Sequence, residues 1–285
     1  MSELNIKDFR EVAADYRVIF FDSYGVLRNH RGMIPGARET IESLRQAGKT
    51  IRVLTNNAAR SQEGAARRLA SLGLPGFAPE EIITSGMMAR QYLEEKAPGG
   101  RAAYLGTEDA AEYIVQAKLQ PISISDLDLD DIDDISAMVF LDDEGYDWNT
   151  DINKTINLLR KKSIPAIVAN SDKLYPVAKN DVAVATGGLA RVVESILGRR
   201  FIHFGKPDTQ MFNYAFTSIQ EEGDFLRRDV LMVGDTLHTD ILGGNKFGIH
   251  TALVLSGNTP RNSALREIES TGVIPDHICS SIGHE

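Results

Sequence analysis

Val18-Ile19-Phe20-Phe21-Asp22-Ser23-Tyr24-Gly25-Val26-Leu27 constrains this chain more than any other stretch. Four consecutive apolar residues, β-branched and aromatic, read as a strand buried on both faces, as in a parallel sheet covered by helices. A carboxylate stands where that strand ends. In an open α/β sheet the ligand crevice lies outside the carboxyl ends of the strands, so Asp22 is placed to face a site. Gly25 lets the chain turn without a Cβ penalty. Asp and Gly are also ordinary turn residues, so for this stretch alone a strand ending in a solvated Asp stays open as the plainer alternative.

The rest of the chain supplies a frame for that strand. A helix pattern over 37–47, closed by Gly48, leads into a second strand, Ile51-Arg52-Val53-Leu54, which runs into Thr55-Asn56-Asn57; an amphipathic helix over 61–72 follows. Residues 81–85 read as a short strand or a loop before a helix over 87–96, and Ala97-Pro98-Gly99-Gly100 is the first linker signal. A second strand and helix alternation then runs to about Ala185, with strands near 102–105, 137–141 and 166–169, and is read as an inserted domain. The first fold is expected to resume with a helix over 192–197. Strands at 201–204, 230–233, 251–255 and 277–279 and helices over 209–219 and 240–247 follow.

With 285 residues, 42% of them hydrophobic, the chain is long enough for two cores of ordinary domain size. Its net charge of -9 argues against nucleic acid or an anionic membrane as a partner, since both call for a basic face. Residues 1–17 carry no apolar signal core, and no apolar run approaches the ~20 residues that span a bilayer, so cytoplasmic residence is expected. Cys279, the single cysteine, reads as a buried small hydrophobe. The acidic run from Asp126 to Asp134 lacks the turn glycine and closing Glu of a calcium loop and reads as a solvated loop. No Gly-x-Gly-x-x-Gly follows a strand, and Gly48-Lys49-Thr50 lacks the upstream glycine of a nucleotide P-loop.

Three more strand ends carry polar residues. Val230-Leu231-Met232-Val233-Gly234-Asp235 repeats the apolar strand followed by an acid, and Asp240 comes as the next helix opens. Two carboxylates from separate strands can share one Mg²⁺, a hard ion that takes few protein oxygens. Thr55-Asn56-Asn57 offers a hydroxyl, amide donors and an expected helix N-terminus, which together suit an anion. Lys206 adds a positive charge. Each has a structural alternative: Asp240 and Asn57 as helix caps, Asp235 and Lys206 as turn residues. Four such ends in one α/β frame favour a site.

Asp22-Ser23-Tyr24-Gly25-Val26, Leu54-Thr55-Asn56-Asn57, Gly205-Lys206-Pro207-Asp208 and Gly234-Asp235-Thr236-Leu237-His238-Thr239-Asp240 resemble the four ordered motifs of the haloacid dehalogenase (HAD) superfamily. The inserted domain, with Ala169-Asn170-Ser171-Asp172 and Gly187-Gly188-Leu189 near its exit, resembles the class IIA branch, as do Ile241-Leu242-Gly243-Gly244 and Leu253-Val254-Leu255-Ser256-Gly257. The resemblance implies a Rossmann-like, doubly wound parallel-sheet core of residues 1–86 and 186–285. It implies an inserted α/β cap of the C2 type over 87–185 that excludes water and chooses the leaving group.

The resemblance further implies Mg²⁺-dependent phosphoryl transfer or hydrolysis on a small phosphorylated metabolite such as a sugar phosphate, through an aspartyl-phosphate at Asp22. The implied catalytic set is Asp22, Tyr24, Thr55 and Lys206. Asn56, Asn57, Gly25 and Gly187 would bind substrate or phosphate, and Asp22, Tyr24 (through its carbonyl), Asp235 and Asp240 would serve the metal. A homodimer through the cap stays open as an assembly. Tyr24 departs from the pattern, because phosphatases of the superfamily usually place a second Asp two residues after the nucleophile. A phenol donates a proton but accepts one poorly at neutral pH. Release of the phosphoenzyme is the step this touches, with His30 and His238 as alternative bases. A vestigial metal- and phosphometabolite-binding sensor is therefore the second reading, and a substrate with a good leaving group the third.

Overall fold

The computed structural model describes residues 4–97, 99–178 and 181–283. They divide into two compact units, one of residues 1–55, 65–83 and 206–285 and one of residues 56–64 and 84–205. Each has its own parallel sheet.

The sheet of the first unit holds seven strands in the order Ile6–Lys7, His277–Cys279, His250–Val254, Val230–Gly234, Val18–Phe21, Thr50–Thr55, Ile82–Thr84. Its pairs from Ile6–Lys7 as far as Thr50–Thr55 are all parallel. Val18–Phe21 is buried along its whole length, as a strand covered on both faces must be. Its register sets Phe21 level with Val233 on one side and Val53 on the other. The polar residues that follow these three strands therefore emerge at one edge of the sheet. The amphipathic helix Ala37–Gln46 buries Thr40, Ile41 and Leu44, and Gly48, at φ +71°, turns the chain out of it. Cys279 is fully buried and its thiol is pushed up to about 12 by that burial, as expected of a packing residue.

The second unit carries five strands in the order Ile202–His203, Ala166–Val168, Ile135–Phe140, Arg101–Leu105, Gln120–Ser123, all parallel. Its core gathers Phe140, Phe201, Leu158, Leu189 and Val193. The expected return to the first fold at residue 186 is displaced. Ile202 pairs with Ile167, the Phe204 N–H donates to the Val168 carbonyl at 2.9 Å, and the Phe201 ring packs on Phe140 with centroids 5.4 Å apart. Helix Thr186–Leu197 buries Leu189, Ala190 and Val193 in the same core. The chain re-enters the first unit at Lys206.

Several short elements stand where the sequence pattern announces none: the helix Phe9–Ala14 capped by Asp8, the strand Gln120–Ser123, and the hairpins Arg28–Asn29 with Gly32–Met33 and Leu174–Pro176 with Val182–Val184. Helix Arg261–Thr271 buries only Ala264, so it lacks the apolar periodicity that would announce it. The acidic run is an exposed loop, in which Asp131 and Asp134 pair with Arg101 and Asp130 with Lys161. Among the described residues no helix is long and apolar enough to cross a membrane.

Candidate active site

Lys206 organises the edge of the first sheet. Its side chain is only 2% exposed, and Nζ lies 2.5 Å from Asp22 Oδ1, 2.8 Å from Asp240 Oδ1 and 2.7 Å from the Leu54 carbonyl. Three strand ends thus meet on one ammonium. Burial disfavours that charge, but Asp22 and Asp240 more than compensate and hold the lysine above its ordinary pKa. The turn-residue alternative for Lys206 is thereby excluded.

Asp240 sits in a wide, π-helical turn, Leu237–Ile241, ahead of helix Leu242–Phe247. Its Oδ2 accepts the Thr236 N–H at 3.1 Å while Oδ1 faces Lys206. Burial pushes its carboxyl up to about 7 against the opposing pull of Lys206, and the charge of Asp22 adds to the rise. Gly234 leaves the room this requires, since a Cβ there would stand 2.1 Å from that of Asp240.

Asp235 is held from three sides. Oδ2 accepts the Asn258 N–H at 2.7 Å, Oδ1 accepts the Thr236 hydroxyl at 2.8 Å, and the Asp235 carbonyl accepts the Thr259 N–H at 3.1 Å. Two glycines press on the same carboxylate: a Cβ at Gly25 would lie 1.9 Å from Oδ2 and one at Gly257 1.8 Å from it. The Ser256 hydroxyl donates to the Gly25 carbonyl at 2.7 Å and ties the two loops together. Burial, then the charges of Asp22 and Asp240, push the Asp235 carboxyl well above the usual carboxylate range. Gly25, expected to contact phosphate, acts here as one wall of the Asp235 cradle, with φ +85°.

Asp22, Asp235 and Asp240 each offer an oxygen within 4.8 Å of the others. One ammonium against three carboxylates leaves an excess of two negative charges when all are ionised. The chemistry of this donor set, hard oxygens with two fully buried carboxyls displaced upward by burial and then by neighbouring carboxylate charge, fits a divalent cation such as Mg²⁺.

Tyr24 is half-buried, with the Arg28 guanidinium 5.1 Å from its ring centroid. Burial raises the phenol above its ordinary value of 10.0; Arg28 and a hydrogen bond from the His30 backbone oppose the rise, and Asp235 adds to it. The phenol is therefore protonated at neutral pH. His30 and His238, the alternative bases, are both exposed.

Thr55 ends its strand as a buried residue of the first unit. Asn56, Asn57 and Gly187 belong to the second unit. There Asn56 Nδ2 donates to Asp172 Oδ1 at 2.8 Å, and Gly187 lies against the Ser171 and Asp172 backbone, 2.5 Å from where its Cβ would be. The helix does not open at Asn57. Asn57 Oδ1 accepts the Ala59 N–H at 3.1 Å in a turn, and the helix begins at Gln62, with Ser61 Oγ accepting the Gly64 N–H. No helix N-terminus therefore stands at Thr55-Asn56-Asn57. Thr236, Gly257 and Asn258 were not singled out as site residues, although the Ser256-Gly257-Asn258-Thr259 run after strand His250–Val254 is the same strand-end signal as the others.

The sequence matches the family of haloacid dehalogenase-like hydrolases over residues 19–120 and a HAD-hydrolase-like family over residues 203–284. Chronophin of Rattus norvegicus is 32% identical over 256 residues, which span 87% of this chain and 79% of that relative. A structure described as a possible sugar phosphatase from Cytophaga hutchinsonii superposes with a TM-score of 0.95 at 48% identity, covering 99% of both chains. A glycerol phosphate phosphatase from Mycobacterium tuberculosis, solved with magnesium, gives 0.76 at 25% identity, over 95% of this chain and 77% of that one. The chain belongs to the haloacid dehalogenase superfamily of hydrolases. Within it the protein is a phosphatase of the class IIA branch, as the motifs implied.

The glycine cradle generates a prediction. Gly257→Ala should keep the fold by circular dichroism and lower hydrolysis of p-nitrophenyl phosphate about 10²-fold, the scale of a 1 Å misplacement in a catalytic array. An unchanged rate in a folded variant would show that Asp235 does not depend on the cradle.

Proposed function

We propose that the protein hydrolyses a small phosphomonoester of the sugar phosphate or glycerol phosphate kind through an aspartyl-phosphate at Asp22, with Mg²⁺ as cofactor. The observation that carries this reading is the Lys206 ammonium shared by Asp22 and Asp240 beside the cradled Asp235, at the ends of adjacent parallel strands. The magnesium complex of the mycobacterial phosphatase and the sugar phosphatase similarity support the ion and the substrate class.

Lys206 fixes Asp22 by one carboxylate oxygen. The other oxygen of Asp22 attacks phosphorus, the bond from phosphorus to the ester oxygen breaks, and the alcohol leaves with a proton. Water then attacks the phosphorus, the bond to Asp22 breaks, and inorganic phosphate departs as the carboxylate is restored; one hard displacement becomes two easier ones. Asp22, Asp235 and the Tyr24 carbonyl would hold Mg²⁺, which when bound offsets the repulsion between an anionic nucleophile and an anionic phosphoryl group. Thr55 and Lys206 are the groups of the first unit that stabilise the equatorial oxygens, where charge spreads in the transition state. Tyr24 holds a proton at neutral pH and so serves departure of the alcohol, not activation of the water.

Asp22→Asn removes the nucleophile and should abolish turnover while the protein still folds; parental rates in a folded variant would reduce Asp22 to a ligand. Mg²⁺ should raise the melting temperature of the parent because it relieves repulsion among buried carboxylates, and Asp235→Asn should lose that shift. Equal shifts in both proteins would remove Asp235 from the metal site. Tyr24→Asp should speed attack of water on the aspartyl-phosphate by ~10²–10⁴, the usual worth of general acid–base help. Sugar phosphates hydrolysed no faster by a folded, Mg²⁺-binding Tyr24→Asp protein would show that another group already performs the proton transfer.

A further inference from the structure

The stretch that follows the nucleophile is basic in an acidic chain. The sequence has 40 acidic residues against 31 basic ones, yet none of the acids falls between Asp22 and Glu39. That interval holds Arg28, His30, Arg31 and Arg38. Arg38 is taken up by Glu42, one helical turn on, with Nε 2.8 Å from Oε1. Arg28 opens the hairpin of Arg28–Asn29 with Gly32–Met33, and His30 and Arg31 form its exposed tip. Asn29 Oδ1 accepts the Arg31 N–H at 2.8 Å and fixes the shape of that tip.

This hairpin is built onto the catalytic turn. The Gly25 N–H donates to the Arg28 carbonyl at 2.7 Å, and the N–H groups of Leu27 and Arg28 both donate to the Ser23 carbonyl, at 2.9 and 3.1 Å. The Arg28 side chain doubles back over the same residues. Its guanidinium carbon lies 5.1 Å from the Tyr24 ring centroid and its Nε donates to Ser23 Oγ at 3.4 Å, so the side chain rests on the two residues that follow Asp22. A guanidinium seated on an aromatic face is held and oriented in advance, and its planar fork of N–H groups matches the oxygens of a phosphate. Besides burial, the charges of Arg28 and Asp235 both act on the Tyr24 hydroxyl, so the cation belongs to the same end of the sheet as the carboxylates. Tyr24 serves departure of the alcohol, and Arg28 therefore borders the alcohol, whereas Lys206 and Thr55 serve the phosphoryl group in transfer.

We propose that Arg28 is a specificity-determining substrate contact which, with Arg31 of the same hairpin, binds a second phosphate on the alcohol, so that the preferred substrate is a small sugar bisphosphate. The inference rests on the phosphatase reading, because it assigns the alcohol side of the same site. A neutral alcohol offers a guanidinium no charge to pair with. A second phosphate brings about −1.5 to −2 charge and three acceptor oxygens, which calls for more than one cation, and the hairpin supplies two guanidiniums and an imidazole. A carboxylate would need Arg28 alone. The second phosphate takes no part in bond making or breaking and leaves on the sugar monophosphate product. Its binding energy, gained away from the reacting phosphorus, is available to the transition state and appears in kcat/KM.

Matched pairs of esters, assayed on the full-length protein with Mg²⁺, test this. Glucose 1,6-bisphosphate against glucose 6-phosphate reads the second phosphate, and 3-phosphoglycerate against glycerol 3-phosphate reads a carboxylate in its place. The parent should favour the bisphosphate by ~10–100-fold in kcat/KM, the worth of a charge-assisted hydrogen bond. An equal or larger preference within the carboxylate pair would overturn the bisphosphate assignment. Arg28→Met keeps an apolar stem over the Tyr24 ring, removes the charge and should abolish most of the preference, while Arg28→Lys should keep part of it. If Arg28 only braced Tyr24, Arg28→Met would slow both members of a pair alike, and an unmoved ratio would overturn the proposal. A measurement on the parent alone covers a variant that fails to fold: added NaCl should raise KM for the bisphosphate more steeply than for glucose 6-phosphate, because the extra pairing is screened. Parallel rises would count against it in the same way. A parent that hydrolyses both members of the glucose pair equally well would end the bisphosphate inference and leave the phosphatase reading standing. One inactive on every ester, p-nitrophenyl phosphate included, would end both.

Discussion

An ammonium buried among carboxylates holds the first unit's edge together. Lys206 is at once the counter-ion of Asp22, the partner of Asp240 and the donor to the Leu54 carbonyl. Ion pairs in such surroundings contribute little net stability, because desolvation consumes most of the attraction, whereas removing one member leaves a buried charge unpaired and costs about 3–5 kcal/mol. What the arrangement secures is position. It fixes one oxygen of Asp22 and gathers the ends of three strands to a single point. Its surplus of negative charge is the price of presenting hard oxygens to a divalent ion.

Most of the parallel strands of both units were readable because they are runs of apolar, largely β-branched or aromatic residues; Ile6–Lys7 and Gln120–Ser123 are not such runs and were not. The acids at the strand ends were readable as well, because Asp22 and Asp235 follow such runs directly. The return point between the units was not. Phe201-Ile202-His203-Phe204 has the same apolar character as a strand of either sheet. Only its pairing with Ala166–Val168 assigns it, and pairing partners are a non-local property that no window of sequence contains. The position of Asn57 failed for a related reason. A polar residue after a strand reads equally as a helix cap or as a turn, and the turn to Ala59 wins here because Ser61 is available to open the helix.

The residues that immobilise Asp235 were the least legible part of the site. Thr236 and Asn258 are ordinary hydrogen-bonding types, and a glycine does not reveal from sequence whether it serves a turn or a close approach. Gly25 does both, with a left-handed φ and a carboxylate where its Cβ would be. Gly257 has the close approach alone. Tyr24 was legible as a departure but its surroundings were not: the Arg28 guanidinium over its ring and the His30 backbone at its hydroxyl come from a hairpin too short to show periodicity.

The loop that cradles Asp235 also sets the order in which the molecule can come into being. Asp22 leaves the ribosome first, Lys206 follows 184 residues later, and Gly257 and Asn258 come later still. Until then Asp235 lacks two of its three restraints. A nascent chain can close its local helices and the inserted sheet, yet it holds no ordered cluster of carboxylates. Contacts this distant in sequence form late and slowly. Hydrolytic competence therefore arrives in one step with completion of the sheet, and no shorter product of translation or of proteolysis ahead of Gly257 can carry it.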